Sequence, residues 1–286
     1  MRILVTGAAG LIGKHITAHL RAAHQQVVAV DIVSCNGVIR ADLQNEATVF
    51  RLLKEHTPDS IVHLAAIKNL SFCEQNKDTA HAINYGITEI LTHACRESET
   101  RMIFFSSDYV FGRHDRFWQE ADLPCPTTQY GRDKAASERL IHRELTDYAI
   151  IRPAQLYGFS KDFVSLVCRT LISCRPLIAF ANLVNCPTWI GDLLAMSSRI
   201  IRHGHQGIFH CVGPEAVSRY QYAIAIAEAF SLNASFIRAV DLDFSTDIRP
   251  PVVRLDGAST YEVLRIHPGG LKDNLPLCSS YAMEAG

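Results

Sequence analysis

Short apolar runs alternate with longer stretches of helical apolar period through the first half of the chain. Ile3-Leu4-Val5 has no polar alternation, the pattern of a parallel strand buried on both faces. Strands are predicted at Arg2–Thr6, Gln26–Asp31, Ser60–Leu64, Arg101–Ser106 and Tyr148–Arg152. Between them the period predicts helices at Leu11–Ala23, Glu46–His56, Thr79–Ser98 and Tyr130–Leu145. This alternation places the chain in the α/β class, as a doubly wound parallel sheet with right-handed crossovers. Past Pro153 the rhythm changes: loops lengthen around Pro176, Pro187, Pro214 and Pro250-Pro251, and helices are predicted at Asp162–Ser173, Ile190–His203 and Arg219–Phe230. The expected division is a nucleotide-binding domain at 1–153, with later segments adding to its sheet, and a smaller substrate lobe at 154–286. The segment after Leu275 reads as peripheral or loosely ordered.

The first predicted strand breaks into Gly7-Ala8-Ala9-Gly10-Leu11-Ile12-Gly13 and runs on into the first helix. Gly7 opens backbone angles closed to other residues, and Gly10 lets a ligand approach the main chain. The unpaired N–H groups and positive dipole end of the helix then face the loop, a setting for a diphosphate. The spacing is Gly-x-x-Gly-x-x-Gly. The second strand ends in Asp31, where a dinucleotide fold places the acid that binds the adenosine ribose hydroxyls. A carboxylate there repels a 2′-phosphate, and no Lys or Arg follows until Arg40, so NAD(H) is favoured and NADP(H) is the second choice.

Composition narrows the partners. A formal net charge of −1 leaves no electrostatic footprint for nucleic acid or an anionic membrane. No apolar stretch is long enough to span a bilayer, and the N-terminal apolar run lacks a basic leader and a small-residue cleavage site. The nine cysteines show no C-x-x-C pair and no metal-ligand spacing, so they read as reduced thiols of a cytoplasmic protein. No metal site is expected; Asp241, Asp243 and Asp247 read as a solvated loop, and His63 and His210 as core histidines.

Candidate chemistry gathers in Ser107, Tyr130 and Lys134. Tyr130 and Lys134 are four apart on a predicted helix and share a face. Ser107 falls just past a strand end, the edge where open α/β sheets bind ligands. When hydride reaches a carbonyl carbon, the oxygen needs a proton, which a phenol such as Tyr130 supplies. Lys134 would stabilise the phenolate and lower its pKa, and Ser107 would hold the same substrate oxygen.

These segments resemble a known family. Phe104-Phe105-Ser106-Ser107-Asp108-Tyr109-Val110-Phe111-Gly112, Tyr130-Gly131-Arg132-Asp133-Lys134 and Arg152-Pro153-Ala154-Gln155-Leu156-Tyr157-Gly158 are similar to the extended short-chain dehydrogenase/reductases of the NAD-dependent epimerase/dehydratase superfamily. Within it the likeness is strongest to the dTDP-4-dehydrorhamnose reductases, through the Ser-Asp-Tyr-Val-Phe run, Cys186-Pro187-Thr188-Trp189-Ile190-Gly191-Asp192-Leu193-Leu194, Gly207–Gly213 and Arg249–Asp256. The resemblance implies a Rossmann sheet, a nucleotide-diphosphate sugar substrate, reduction of a 4-keto-6-deoxy sugar and a homodimer. For the cofactor it implies Gly7, Gly10, Leu11, Ile12, Gly13 and Asp31 at the diphosphate and ribose, and Asp42-Leu43 near the adenine. Leu64-Ala65-Ala66 would pass beneath the cofactor, Asn84 would support the site, and Ser106, Tyr130, Lys134 and Pro153 would lie along it. Asp108, Tyr109, Trp189, Arg249 and Arg254 are the substrate candidates. Asp42 reads equally as a helix cap, Trp189 as core packing and the arginines as surface charges.

Two departures sharpen the reading. Ser107 stands where these reductases often carry Thr, which keeps the hydroxyl. Sugar-nucleotide dehydratases carry Asp-Glu after that hydroxyl residue, but here Asp108 is followed by Tyr109, so dehydration is disfavoured. The alternatives are an epimerase using bound NAD and a non-catalytic subunit like the methionine adenosyltransferase regulator that resembles these reductases.

Overall fold

One seven-stranded sheet runs in the order Gly207–His210, Tyr148–Arg152, Arg101–Phe105, Ser60–His63, Arg2–Thr6, Gln26–Asp31, Ile39–Arg40 in the computed structural model, which describes residues 1–112 and 114–279. From Tyr148–Arg152 across to Ile39–Arg40 each neighbouring pair is parallel, with Leu4 opposite both Val28 and Ile61. The five predicted strands are all present, two of them one residue shorter, at His63 and Phe105. Ile39–Arg40 is too short for a period to reveal it. Gly207–His210 is the later segment that joins the sheet edge.

The order turns around at Arg2–Thr6: the chain leaves it for Gln26–Asp31 on one side and returns to Ser60–His63 on the other. Loops at the carboxyl ends of the strands flanking such a switch point diverge and leave a crevice. Here those loops are the glycine turn after Thr6 and the Leu64–Ala66 segment.

The strands are continuous apolar runs because helices cover both faces. Leu4, Ile61, Met102, Phe104 and Ile150 share one core cluster with Leu52, Leu91 and Ile141 from the helices. Each such side chain contributes about 1.5–3 kcal/mol when removed from water. The Glu46–His56 helix starts at Asn45, whose side chain accepts the Thr48 N–H, and ends at Thr57 in the left-handed conformation. Asp42 is therefore not its cap.

The helix predicted at Thr79–Ser98 is three pieces: Lys77–His81, a π-helical turn at Ala82–Gly86, and Ile87–Ser98. The wide turn carries Asn84. Its carbonyl accepts from the Thr88 and Ser137 hydroxyls, and its side chain turns to Ile67. Hydrophobic period alone does not distinguish a π turn from the α-helix around it.

Two compact units divide the chain: Met1–Val110 with Pro124–Arg152 and Ser197–Phe209, and Phe111–Leu123 with Pro153–Met196 and His210 onward. The later segment Ser197–Phe209 falls in the first unit, and Phe111–Leu123, ahead of residue 153, in the second. The second unit has its own core, with Tyr157, Val167, Leu171, Tyr222 and Ile226 buried together, and a parallel pair, Leu177–Phe180 with Ile237–Val240. Leu275 and Cys278 are buried in that core rather than peripheral, because their side chains close it beside Ile226 and Leu271. The rest of the expected peripheral segment, from residue 280, lies outside the described residues. Among the described residues no helix is long and apolar enough to cross a membrane.

Candidate active site

The glycine turn is built by close backbone approach. Gly7 adopts φ +66°, and a Cβ there would sit 2.7 Å from the Ala65 nitrogen; one at Gly13 would sit 2.0 Å from the Gly7 carbonyl oxygen. The Leu11–Ala22 helix therefore begins against the strand end, with Gly10 as its N-cap, no capping side chain and no acid in its first turn. Helix donors left uncapped in this way are available to an anionic ligand. Asp31 lies alongside. Its Oδ2 accepts the Ala9 N–H at 2.9 Å and its Oδ1 the Val33 N–H at 3.0 Å, so the carboxylate is fixed against the turn. This uncapped cradle beside a fixed acid fits a dinucleotide diphosphate and ribose.

Leu64-Ala65-Ala66 leaves the neighbouring strand under control of Thr6, whose Oγ1 accepts the Leu64 and Ala65 N–H groups at 3.2 and 3.4 Å. The same hydroxyl pairs with His63 Nδ1 at 2.7 Å, and His63 Nε2 meets Thr88 Oγ1 at 3.1 Å. His63 is thus a bonded core histidine, pushed down to about 3 by burial. Asn84 is fully buried and clamps the next residue: its Oδ1 accepts Ile67 N–H at 2.7 Å and its Nδ2 donates to Ile67 O at 3.1 Å. It supports the loop and spends its amide there. Asp42 is exposed and accepts the Gln44 N–H at 3.0 Å; Leu43 is buried in the core of the first unit.

The structure brings Ser107, Tyr130 and Lys134 together. Ser107 follows the Arg101–Phe105 strand and starts a tight turn at Asp108–Val110. Its hydroxyl donates to Asp108 Oδ1 at 2.9 Å and accepts the Tyr109 N–H at 3.2 Å. That turn packs on the Gln129–Glu144 helix, where a Cβ at Gly131 would lie 2.0 Å from the Tyr109 carbonyl oxygen. Thr128 caps the helix by accepting the Gly131 N–H at 3.0 Å. One turn in, Tyr130 hydrogen-bonds Ser107 and meets Tyr109 edge-on, with ring centroids 6.3 Å apart.

Lys134 is buried, donates to the Phe105 carbonyl at 2.8 Å, and lies over the rings of Phe104 at 4.5 Å and Tyr130 at 5.9 Å. Burial brings its ammonium down to about 7. The phenol departs from expectation. Burial, then the charge of Asp108, hold Tyr130 well above the usual tyrosine range, and its contact with the Ser107 hydroxyl only partly offsets them. Lys134 donates to the Phe105 carbonyl and makes no hydrogen bond to the phenol, so the lowering expected from it is not seen here. Tyr130 is accordingly a protonated acid at neutral pH.

The remaining candidates divide by unit. Ser106 and Asp108 are buried beside Ser107 in the first. In the second, Trp189 packs on Gly158 and Gly191 against the core, which makes it a packing residue. Arg249 grips Asp247 through two nitrogens at 2.8 and 2.7 Å, and Arg254 pairs with Asp115 at 2.9 Å. Pro153 begins the Pro153–Met196 segment of that unit. Sequence reasoning passed over two buried carboxylates on the Gln129–Glu144 helix, Asp133 and Glu138. The arginine inside the apolar strand Tyr148–Arg152 was the available signal for Glu138, since a buried cation demands an anion. Among the described residues no cluster of His, Cys, Asp or Glu could hold a metal ion.

Comparison with known proteins follows the same lines. The family model described as RmlD substrate binding domain matches residues 1–278. A dTDP-4-keto-6-deoxy-D-glucose reductase from Streptomyces niveus is 30% identical over 249 residues, covering 85% of this chain and 83% of that protein. Methionine adenosyltransferase 2 subunit beta from Rattus norvegicus is 26% identical over 280 residues, covering 93% and 83%. Among solved structures, a dTDP-4-dehydrorhamnose reductase from Clostridium acetobutylicum superposes with a TM-score of 0.88 at 25% identity, covering 98% of this chain and 99% of that one.

Proposed function

Because the chain belongs to the RmlD substrate binding domain family, we propose that it is an NAD(P)H-dependent reductase of the 4-keto group of a nucleotide-diphosphate 4-keto-6-deoxy sugar. One observation carries this reading: a protonated Tyr130 bonded to Ser107, with the buried cation Lys134 beneath its ring. The reductase relatives supply the substrate class.

The dinucleotide is held by the uncapped start of the Leu11–Ala22 helix, with Asp31 beside it, and supplies hydride to the carbonyl carbon. Ser107 and Tyr130 both reach the carbonyl oxygen in this reading. Ser107 turns its proton from Asp108 to that oxygen and fixes its position. Tyr130 gives the oxygen its proton, and the phenolate left behind is stabilised by Lys134. Asp31 favours NAD(H); NADP(H) is the second cofactor to try. The same proposal includes a homodimer and a cytoplasmic setting, the latter supported by nine free thiols.

Stoichiometric loss of NADH or NADPH absorbance with a dTDP-4-keto-6-deoxyhexose is the expected result, and Tyr130→Phe should lower kcat by about 10²-fold or more. Full-rate reduction by that variant sinks the assignment. Conversion of a sugar nucleotide without net cofactor loss would instead identify an epimerase. Cofactor binding without turnover, together with a copurifying enzyme, would identify a non-catalytic subunit; one relative is named methionine adenosyltransferase 2 subunit beta.

A further inference from the structure

Lys134 is a buried amine, and its charged form requires an opposite charge nearby. Among the described residues its Nζ donates to the neutral Phe105 carbonyl, and no carboxylate lies within ion-pair distance of it. Two carboxylates stand within a turn of it on the Gln129–Glu144 helix. Glu138 is already matched: Arg152 grips it from Nε and Nη2 at 2.9 and 2.7 Å, with both side chains buried. Asp133 is equally buried and has no Lys or Arg on it. Its Oδ1 accepts from His81 Nδ1 at 2.8 Å and from Gln129 Nε2 at 2.9 Å, and its Oδ2 is sealed from solvent with no hydrogen-bond partner among the described residues. The helix interior thus holds one paired set of charges, one further cation, and one further anion whose only basic contact is the half-exposed imidazole of His81.

We propose that Asp133, held in place by His81 and Gln129, is a positioning residue that supplies the counter-charge of Lys134 and keeps it an ammonium in the working site. The idea rests on Lys134 being the cation of the reductase site described above. Of the two carboxylates that favour the charge on Lys134, Glu138 is committed to Arg152, which leaves Asp133 as the one without a Lys or Arg partner. His63, from the Ser60–His63 strand, is neutral, being pushed down to about 3 by burial. Cys73, from the Leu70–Gln75 helix, is kept a thiol by burial and by the charge of Asp133 itself. Glu74 on that helix pairs with Arg132 at 3.5 Å and accepts the Gln129 N–H, which steadies the residue that holds Asp133. Tyr130 is a protonated phenol. Burial works against the charge on Lys134, while Glu138 and Asp133 both support it.

Lysine ¹³Cε NMR of the full chain reads the titration of Lys134 directly, with its signal assigned by its loss in Lys134→Arg. Asp133→Asn keeps the size of the side chain and an acceptor for His81 and Gln129 while removing the charge. The expected result is a Lys134 midpoint displaced to lower pH by about half a unit or more, roughly a threefold fall in the charged-to-neutral ratio at fixed pH. Asp133→Ser should give the same displacement and serves if the Asn variant does not fold. An unmoved midpoint in either folded variant overturns the proposal. The measurement needs no substrate, so its failure leaves the reductase reading standing, and absent turnover does not move the midpoint.

Discussion

A single methyl group at Gly13 is enough to open the glycine turn after Thr6. A Cβ there would lie 2.0 Å from the Gly7 oxygen and 2.8 Å from the Ala8 Cα, backbone atoms with no flexible side chain to give way. Gly13→Ala is expected to lower stability by roughly 1–3 kcal/mol and to weaken NADH binding at least tenfold, checked by thermal melting and by cofactor fluorescence titration. Binding equal to the parent would show that the turn does not hold the cofactor. Residues of this kind were legible in the sequence because few types can occupy such positions: glycine at a tight turn, and a phenol and an amine four apart on a helix. Asp133 and Glu138 were not, since a carboxylate in a helix ordinarily reads as part of a solvated face. Arg249 and Arg254 show the converse, because their partners Asp247 and Asp115 are supplied by folded loops.

Helix periodicity read the Ala82–Gly86 turn as uninterrupted α-helix, yet that turn carries Asn84 to the Ile67 backbone. The apolar positions on either side keep nearly the same face, so hydrophobic pattern has no term for one extra residue in a turn. Strands were read far better, as each is a buried apolar run with sharp ends. Asn84→Leu strips both bonds from Ile67, at a cost of about 1–3 kcal/mol for each group left unmet. The expected outcome is faster amide hydrogen exchange across Leu64–Ile67, with the Arg2–Thr6 strand still protected. Unchanged exchange in that loop would mean the clamp does not hold it.

For the whole molecule, His63 makes stability depend on pH. In the unfolded chain an ordinary histidine takes a proton near pH 6.5; in the fold, burial pushes His63 down to about 3. Its neutral form is accommodated above pH 6.5, and stability is lost as pH falls from there toward 3, by about 1.4 kcal/mol for each pH unit. Urea unfolding between pH 7.5 and 5 is expected to show that slope, and His63→Gln to flatten it; equal slopes would rule the residue out. At this scale the sequence conveyed the alternation of strand and helix, and hence the sheet. It did not convey how the chain interleaves, since Phe111–Leu123 and Ser197–Phe209 change units without any break in composition.

The edge strand Gly207–His210 has a consequence for synthesis. It docks on Tyr148–Arg152, which leaves the ribosome more than fifty residues earlier. At about 5–20 residues per second that is an interval of roughly 3–12 s. Through it a buried-type strand, Tyr-Ala-Ile-Ile-Arg, stands as a bare edge open to pairing with another chain. The nascent protein therefore passes through a window in which its sheet lacks its final strand, and a chain ended at residue 153 would remain in that window permanently.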